Sequence, residues 1–174
     1  MQALFDIQIA IRDFMELGGP VLNVIALNIL VMWILIVERI LYFRSEHGRR
    51  VAAERAVWNA REERSSWHAR QVREAIVSRL KLGANGSIPL IKTLVALCPL
   101  LGLVGTVTGM IEVFDVLALS GTGNTRSMAA GVSKATIPTM AGMVGALSGV
   151  FAAALLTRAA NKSVKKLDEI FVHE

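Results

Sequence analysis

The chain has 174 residues with a formal net charge of +5; 53% of them are hydrophobic and only 19% charged, and the mean hydropathy is +0.51. That balance excludes an ordinary soluble domain, in which about a quarter of the residues are charged, and places the chain in the membrane class. A lone cysteine, Cys98, excludes an internal disulfide, and with no H-E-x-x-H, C-x-x-C, G-x-S-x-G or P-loop pattern the sequence offers no enzymatic centre, metal site or cofactor site.

Taken in chain order, residues 1–17 place Leu4, Ile7, Ile11 and Phe14 at helical spacing, which predicts a short amphipathic helix at the membrane interface. Asp6, Asp13 and Glu16 outnumber Arg12 in that stretch, the wrong sign for a signal peptide, so the apolar run that follows reads as a retained helix. A hydrocarbon layer of ~30 Å needs about 20 helical residues. Leu17 to Val37, Thr93 to Ile111 and Ala135 to Thr157 hold 21, 19 and 23 residues without a charge. The fold class expected is therefore all-α, integral to the membrane, with three transmembrane helices: 18–43 with an extension beyond the bilayer, 93–116, and 135–157.

Between the first two spans, residues 38–92 carry twelve Lys or Arg against six acids. The positive-inside rule puts this loop, and the tail 158–174 with Arg158, Lys162, Lys165 and Lys166, on the cytoplasmic side; the N-terminus and the loop 117–134 then lie outside. In 44–92 the bases alternate with Glu54, Glu62, Glu63 and Glu74, the pattern of an ion-paired helical surface. That argues against a nucleic-acid site and for a helical hairpin below the membrane, whose bases can meet phospholipid headgroups.

The later spans carry small residues at helical spacing. Gly105 and Gly109 form a G-x-x-x-G pair, and Ala141, Gly145, Gly149 and Ala153 recur every four residues. Such ridges let helix backbones approach, either within the chain or between subunits. None of the three runs contains Asp, Glu, Lys, Arg or His, so no side chain at mid-bilayer titrates. Hydroxyls remain: Thr106, Thr108, Thr136, Thr139 and Ser148. A membrane threonine ordinarily bonds its own i−3 or i−4 carbonyl, and the residues alone leave open whether any of these serves a proton. Asn23 and Asn28 in the first span read as interhelical glue.

Two stretches resemble a known family. Pro99-Leu100-Leu101-Gly102-Leu103-Val104-Gly105-Thr106-Val107-Thr108-Gly109-Met110 and Gly131-Val132-Ser133-Lys134-Ala135-Thr136-Ile137-Pro138-Thr139-Met140-Ala141-Gly142-Met143 are similar to the second- and third-helix signatures of the ExbB, TolQ and MotA proton-channel family. Three spans and a brief cytoplasmic insertion resemble the short ExbB branch used with TonB systems. The resemblance implies a scaffold subunit in the bacterial inner membrane, with a periplasmic N-terminus and a cytoplasmic C-terminus. It further implies a homo-pentamer around two helices of an ExbD-like protein, whose membrane aspartate carries the proton that energises a TonB-like protein for nutrient uptake. A TolQ-like role in outer-membrane integrity, or a small autonomous transporter, are the alternatives. Thr106 and Thr139 match the family's pore threonines. Lys134 stands where the family often has glutamate, and is expected either to snorkel harmlessly or to alter the outer mouth and its pairing with the partner.

Overall fold

A computed structural model describes residues 2–60, 66–120 and 125–172, with side chains described at most of these positions but not at 2–4, 7, 10, 11, 17, 120, 125–128, 130 and 168–172. The interfacial face expected at Leu4, Ile7 and Ile11 thus lies outside the described side chains. The described residues are helical almost throughout and hold no strand: α1 (Gln2–Leu41), a π-helical turn (Tyr42–Glu46), α2 (His47–Asn59), α3 (Trp67–Asn85), α4 (Ile88–Ser120) and α5 (Thr125–Val172). Three helical stretches, within Gly18–Asn59, Trp67–Leu119 and Gly131–Leu167, are long and apolar enough to cross a membrane. At ~1.5 Å per residue, the 33 residues of α4 and the 48 of α5 run about 50 and 72 Å, well beyond ~30 Å of hydrocarbon. These helices therefore continue into water.

Helix α1 is broken once, at Gly19, whose φ of 66° and ψ of −167° suit a residue without a Cβ. Pro20 follows at the first position of the continuing helix, where its missing N–H costs nothing. Beyond Ile111 and before Ala135 the helices are longer than their uncharged runs. The stretch 117–134, expected as a loop, is helical as far as Ser120 and again from Thr125. The physical reason is packing. Gly131 sits so close to α4 that a Cβ there would lie 2.4 Å from Val113 Cγ2, and no proline interrupts the chain before Pro138.

The chain forms two compact units. One comprises Met1–Met32 with Thr93–Val150, the other Trp33–Lys92 with Phe151–Glu174. In the second unit, Ser66 caps α3 by accepting a hydrogen bond from the Ala69 amide at 3.2 Å, and α2 and α3 share a core of Trp58, Ala69, Ile76 and Leu80 closed by Leu167 of α5. Of the tryptophans beside the α2–α3 link, Trp58 is the buried one and Trp67 is exposed. Arg50 pairs with Glu46 across one helical turn at 3.0 Å.

Arg39 is also buried in this unit, 4% exposed. Its Nη2 donates to the Gly83 carbonyl, and its guanidinium lies over the Tyr42 ring, 4.6 Å from the centroid, and over Phe43 at 5.4 Å. Ring faces and a carbonyl thus replace part of the water that a buried cation loses. Gly86 in the α3–α4 turn lies beneath the same group, and a Cβ there would come 2.7 Å from the guanidinium nitrogens, so the end of the Arg39 side chain would have to shift. His47 next to the π turn is pushed below its ordinary pKa by burial first and by Arg39 second.

Candidate functional site

The first unit is a three-helix packing of α1, α4 and α5 in which small residues set the register. Going along α4, a Cβ on Gly102 would meet Thr139 Cα at 2.9 Å, one on Gly105 would meet Pro138 Cβ at 2.3 Å, and one on Gly109 would meet Ala135 Cβ at 2.6 Å. As the α4 number rises the α5 number falls, so α4 and α5 are antiparallel. The same side of α5 also turns Gly145 to Ile29 and Gly149 to Met32, both numbers rising together, so α1 and α5 are parallel. Alternating directions are what three successive bilayer crossings require.

All four glycines singled out by spacing therefore meet helices of their own chain. Ala153 is buried and Ala141 half-buried. Two glycines that spacing does not single out also stand against the backbone of the facing helix. A Cβ on Gly142 would stand 2.5 Å from the Cys98 carbonyl oxygen, and Gly102 abuts the Thr139 backbone. Gly102 stands three residues before Gly105 and Gly142 three before Gly145, off the four-residue period that marks each ridge. What the chain leaves outward is large and apolar: Leu100, Leu103, Val104 and Val107 on α4, and Met143, Val144 and Leu147 on α5, all exposed.

Polar groups inside this unit form a sparse seam. Asn28 Nδ2 donates to the Leu94 carbonyl at 3.1 Å and to Cys98 Sγ at 3.0 Å, tying α1 to α4, while Asn23 is exposed. The Thr139 hydroxyl crosses from α5 to donate to the Gly102 carbonyl at 2.8 Å. Thr106, one turn beyond Gly102 on the same side of α4, donates to the Leu103 carbonyl at 2.7 Å. Thr108, Thr136 and Ser148 also bond to carbonyls three or four residues back, but Thr108 and Thr136 are exposed, whereas Thr106 and Thr139 are half-buried.

A hydroxyl has one proton and two lone pairs; with the proton committed to a carbonyl, the oxygen is available chiefly as an acceptor. Each threonine can thus receive a hydrogen bond from water or from a protonated acid. Donating to a carboxylate would first require breaking the existing bond. Among the described residues no group of three or more His, Cys, Asp or Glu could hold a metal ion.

Lys134 is not left to solvent. Its Nζ lies 3.4 Å from Glu112 Oε2 across the α4–α5 seam, with side chains 42% and 58% exposed. An exposed pair contributes about 0–1 kcal/mol and is screened by salt. Lys134→Glu, which sets two carboxylates face to face, should therefore lower the unfolding free energy in detergent by no more than about 1 kcal/mol at low salt. The added Glu112→Lys swap should restore it. A loss that persists at high salt or resists the swap would show that Lys134 acts through something other than this pair.

Residues 44–169 match the MotA/TolQ/ExbB proton channel family. An ExbB-like 1 biopolymer transport protein of Synechocystis sp. is 46% identical over 61 residues, covering 33% of this chain and 24% of that protein. The biopolymer transport protein exbB1 of Vibrio cholerae serotype O1 is 36% identical over 85 residues, covering 48% of this chain and 37% of its own. The aligned stretches span well under half the length of either relative.

Proposed function

The chain belongs to the MotA/TolQ/ExbB proton channel family, and from that premise we propose that it is the scaffold half of a proton path in a bacterial inner membrane. In this reading several copies, five by the family resemblance, surround helices of an ExbD-like protein that supplies a membrane aspartate. Proton passage then drives a TonB-like protein in nutrient uptake. The relatives' names, both biopolymer transport proteins of ExbB type, favour this over service to outer-membrane integrity in the manner of TolQ. The basic segments lie inside and the N-terminus outside, by the charge asymmetry of the loops.

One observation carries the reading: the spans offer hydroxyls whose protons are already committed, and no titrating group. An ionised carboxylate at the bilayer centre costs about 3 kcal/mol, so a partner's aspartate there rests neutral, as an O–H donor in need of an acceptor. Thr106 and Thr139 are acceptors of that kind. They stabilise the protonated acid in transit without trapping the proton, because a neutral hydroxyl binds a proton far more weakly than a carboxylate. The exposed apolar faces of α4 and α5 supply the surface against which other helices pack.

The test is proton flux in proteoliposomes under an imposed pH gradient. The chain alone should be silent, the chain with its ExbD-like partner should conduct, and replacing the partner's membrane aspartate by asparagine should silence it again. Flux from the chain alone would favour an autonomous transporter and defeat the scaffold reading.

A further inference from the structure

We propose that the α5 face formed by Arg158, Asn161, Lys162, Lys165 and Lys166 is a binding site for the phosphate headgroup of an acidic phospholipid. These five residues line an open groove of about 650 Å³. Their spacing, i, i+3, i+4, i+7 and i+8, puts them on one side of the helix. The opposite side carries Leu156, Ala160 and Leu167, 5%, 1% and 1% exposed. The helix is thus anchored by one face while the other projects four cations and an amide donor into a common space.

The bases of this face differ from Arg12 and Arg50, which are paired within their own helices. Arg12 and Arg50 each have a glutamate one turn away, at 2.8 and 3.0 Å. Arg158 and Lys162 have no acid three or four residues away in either direction. Asp168 and Glu169 follow one turn beyond Lys165 and Lys166, within sequence reach of those two bases only. None of the four bases forms an ion pair with another described residue. Four cations within about 12 Å of helix repel one another, and an anion set among them removes that repulsion.

Position selects the anion. The uncharged run of α5 ends at Thr157, so the bases begin at the first residue past the hydrocarbon. A membrane's polar zone is about 5–8 Å deep on each side, which places Arg158 to Lys162 at phosphate depth and leaves Lys165 and Lys166 able to reach back along their stems. Soluble phosphate would find the same charges, but a lipid phosphate is already held at that level at high local concentration. The inference rests on the membrane-spanning reading alone and is independent of the proton path, so either can fail without the other.

The experiment measures lipid binding by the purified protein, with any subunits that accompany it, in neutral detergent. Phosphatidylglycerol, phosphatidylcholine and inorganic phosphate are added in turn, and bound molecules are counted by native mass spectrometry. Phosphatidylglycerol should bind at least tenfold more tightly than phosphatidylcholine. Each base near an anionic surface contributes about fivefold, so Arg158→Gln with Lys162→Gln should weaken phosphatidylglycerol binding by about 25-fold. Arg158→Lys with Lys162→Arg should keep it, and matching helicity and melting points of both double variants would separate binding from folding. Equal binding of phosphatidylglycerol by wild type and the glutamine variant overturns the site. Displacement of phosphatidylglycerol by an equal concentration of inorganic phosphate overturns the lipid as its ligand.

Discussion

Gly142→Ala should loosen the α4–α5 seam and lower the unfolding free energy by about 2–3 kcal/mol, the upper part of the range for overpacking a filled interior. The added Cβ would meet the Cys98 carbonyl oxygen at 2.5 Å, with Cys98 C and Gly102 Cα both at 3.3 Å. All three are backbone atoms of α4. They yield only if the helices part, and parting them stretches the Thr139 hydrogen bond to the Gly102 carbonyl. Alanine's helix propensity returns up to about 1 kcal/mol, not enough to offset a backbone clash. Gly149→Ala is the matched control, because its Cβ would meet Met32 Sδ at 2.5 Å and Val95 Cγ2 at 2.6 Å, both in side chains. Methionine's three rotatable bonds let it withdraw, whereas the β-branched Val95 has to shift, so this change should cost about 1 kcal/mol, less than Gly142→Ala, once the propensity gain is included. Unfolding by rising mole fraction of dodecyl sulfate, followed by helicity, ranks the two. Equal losses at both positions would show that the seam does not depend on backbone contact at Gly142.

The contrast between these glycines also marks what a single sequence reveals. Three spans are legible because charge is so costly in hydrocarbon that soluble helices seldom go about 20 residues without it, whereas a bilayer crossing demands its absence. Gly105 and Gly109 are legible as a small face, because the four-residue period belongs to one helix. Gly102 and Gly142 are not, since each owes its role to a residue on the other helix, and the register between α4 and α5 is a tertiary fact. The same holds for Thr139. Spacing predicts a bond to its own helix, but its hydroxyl crosses to α4. Arg39 defeats charge counting in the opposite sense: it is counted with the solvated bases of 38–92, yet it is buried beneath two rings and a carbonyl of α3. Trp58 and Trp67 look alike in a segment without a clean apolar stripe, and only the packing of α2 on α3 distinguishes them. Charge counting also draws the loop 117–134 too long, because it stops the flanking spans at 116 and 135, while Gly131 against Val113 carries the α4–α5 packing further.

Thr106→Val combined with Thr139→Val should reduce proton flux through the complete complex by about fivefold or more while leaving assembly intact. The stability cost is small. The Thr106 hydroxyl bonds within its own helix turn; the Thr139 bond crosses helices, and such bonds in membranes average ~0.6 kcal/mol. The Gly102 carbonyl keeps its partner in the α4 ladder, so no orphaned acceptor remains. The cost to a proton in transit is larger. A partner's protonated carboxyl facing two valines has an O–H with no acceptor in an apolar setting, which mutational data put at about 1–3 kcal/mol, or roughly fivefold to 150-fold in rate. With both acceptors gone the carboxyl has no alternative hydroxyl, so each single variant should lose less than half of the double variant's effect on a logarithmic scale. Serine at both positions keeps the acceptor oxygen and should restore most of the flux. The measurement is dye-reported acidification of proteoliposomes carrying the assembled complex, with the amount of bound partner counted in each variant. A double valine variant that assembles normally and conducts within twofold of wild type would remove Thr106 and Thr139 from the path. The apolar seam would then serve only to hold α4 and α5 together.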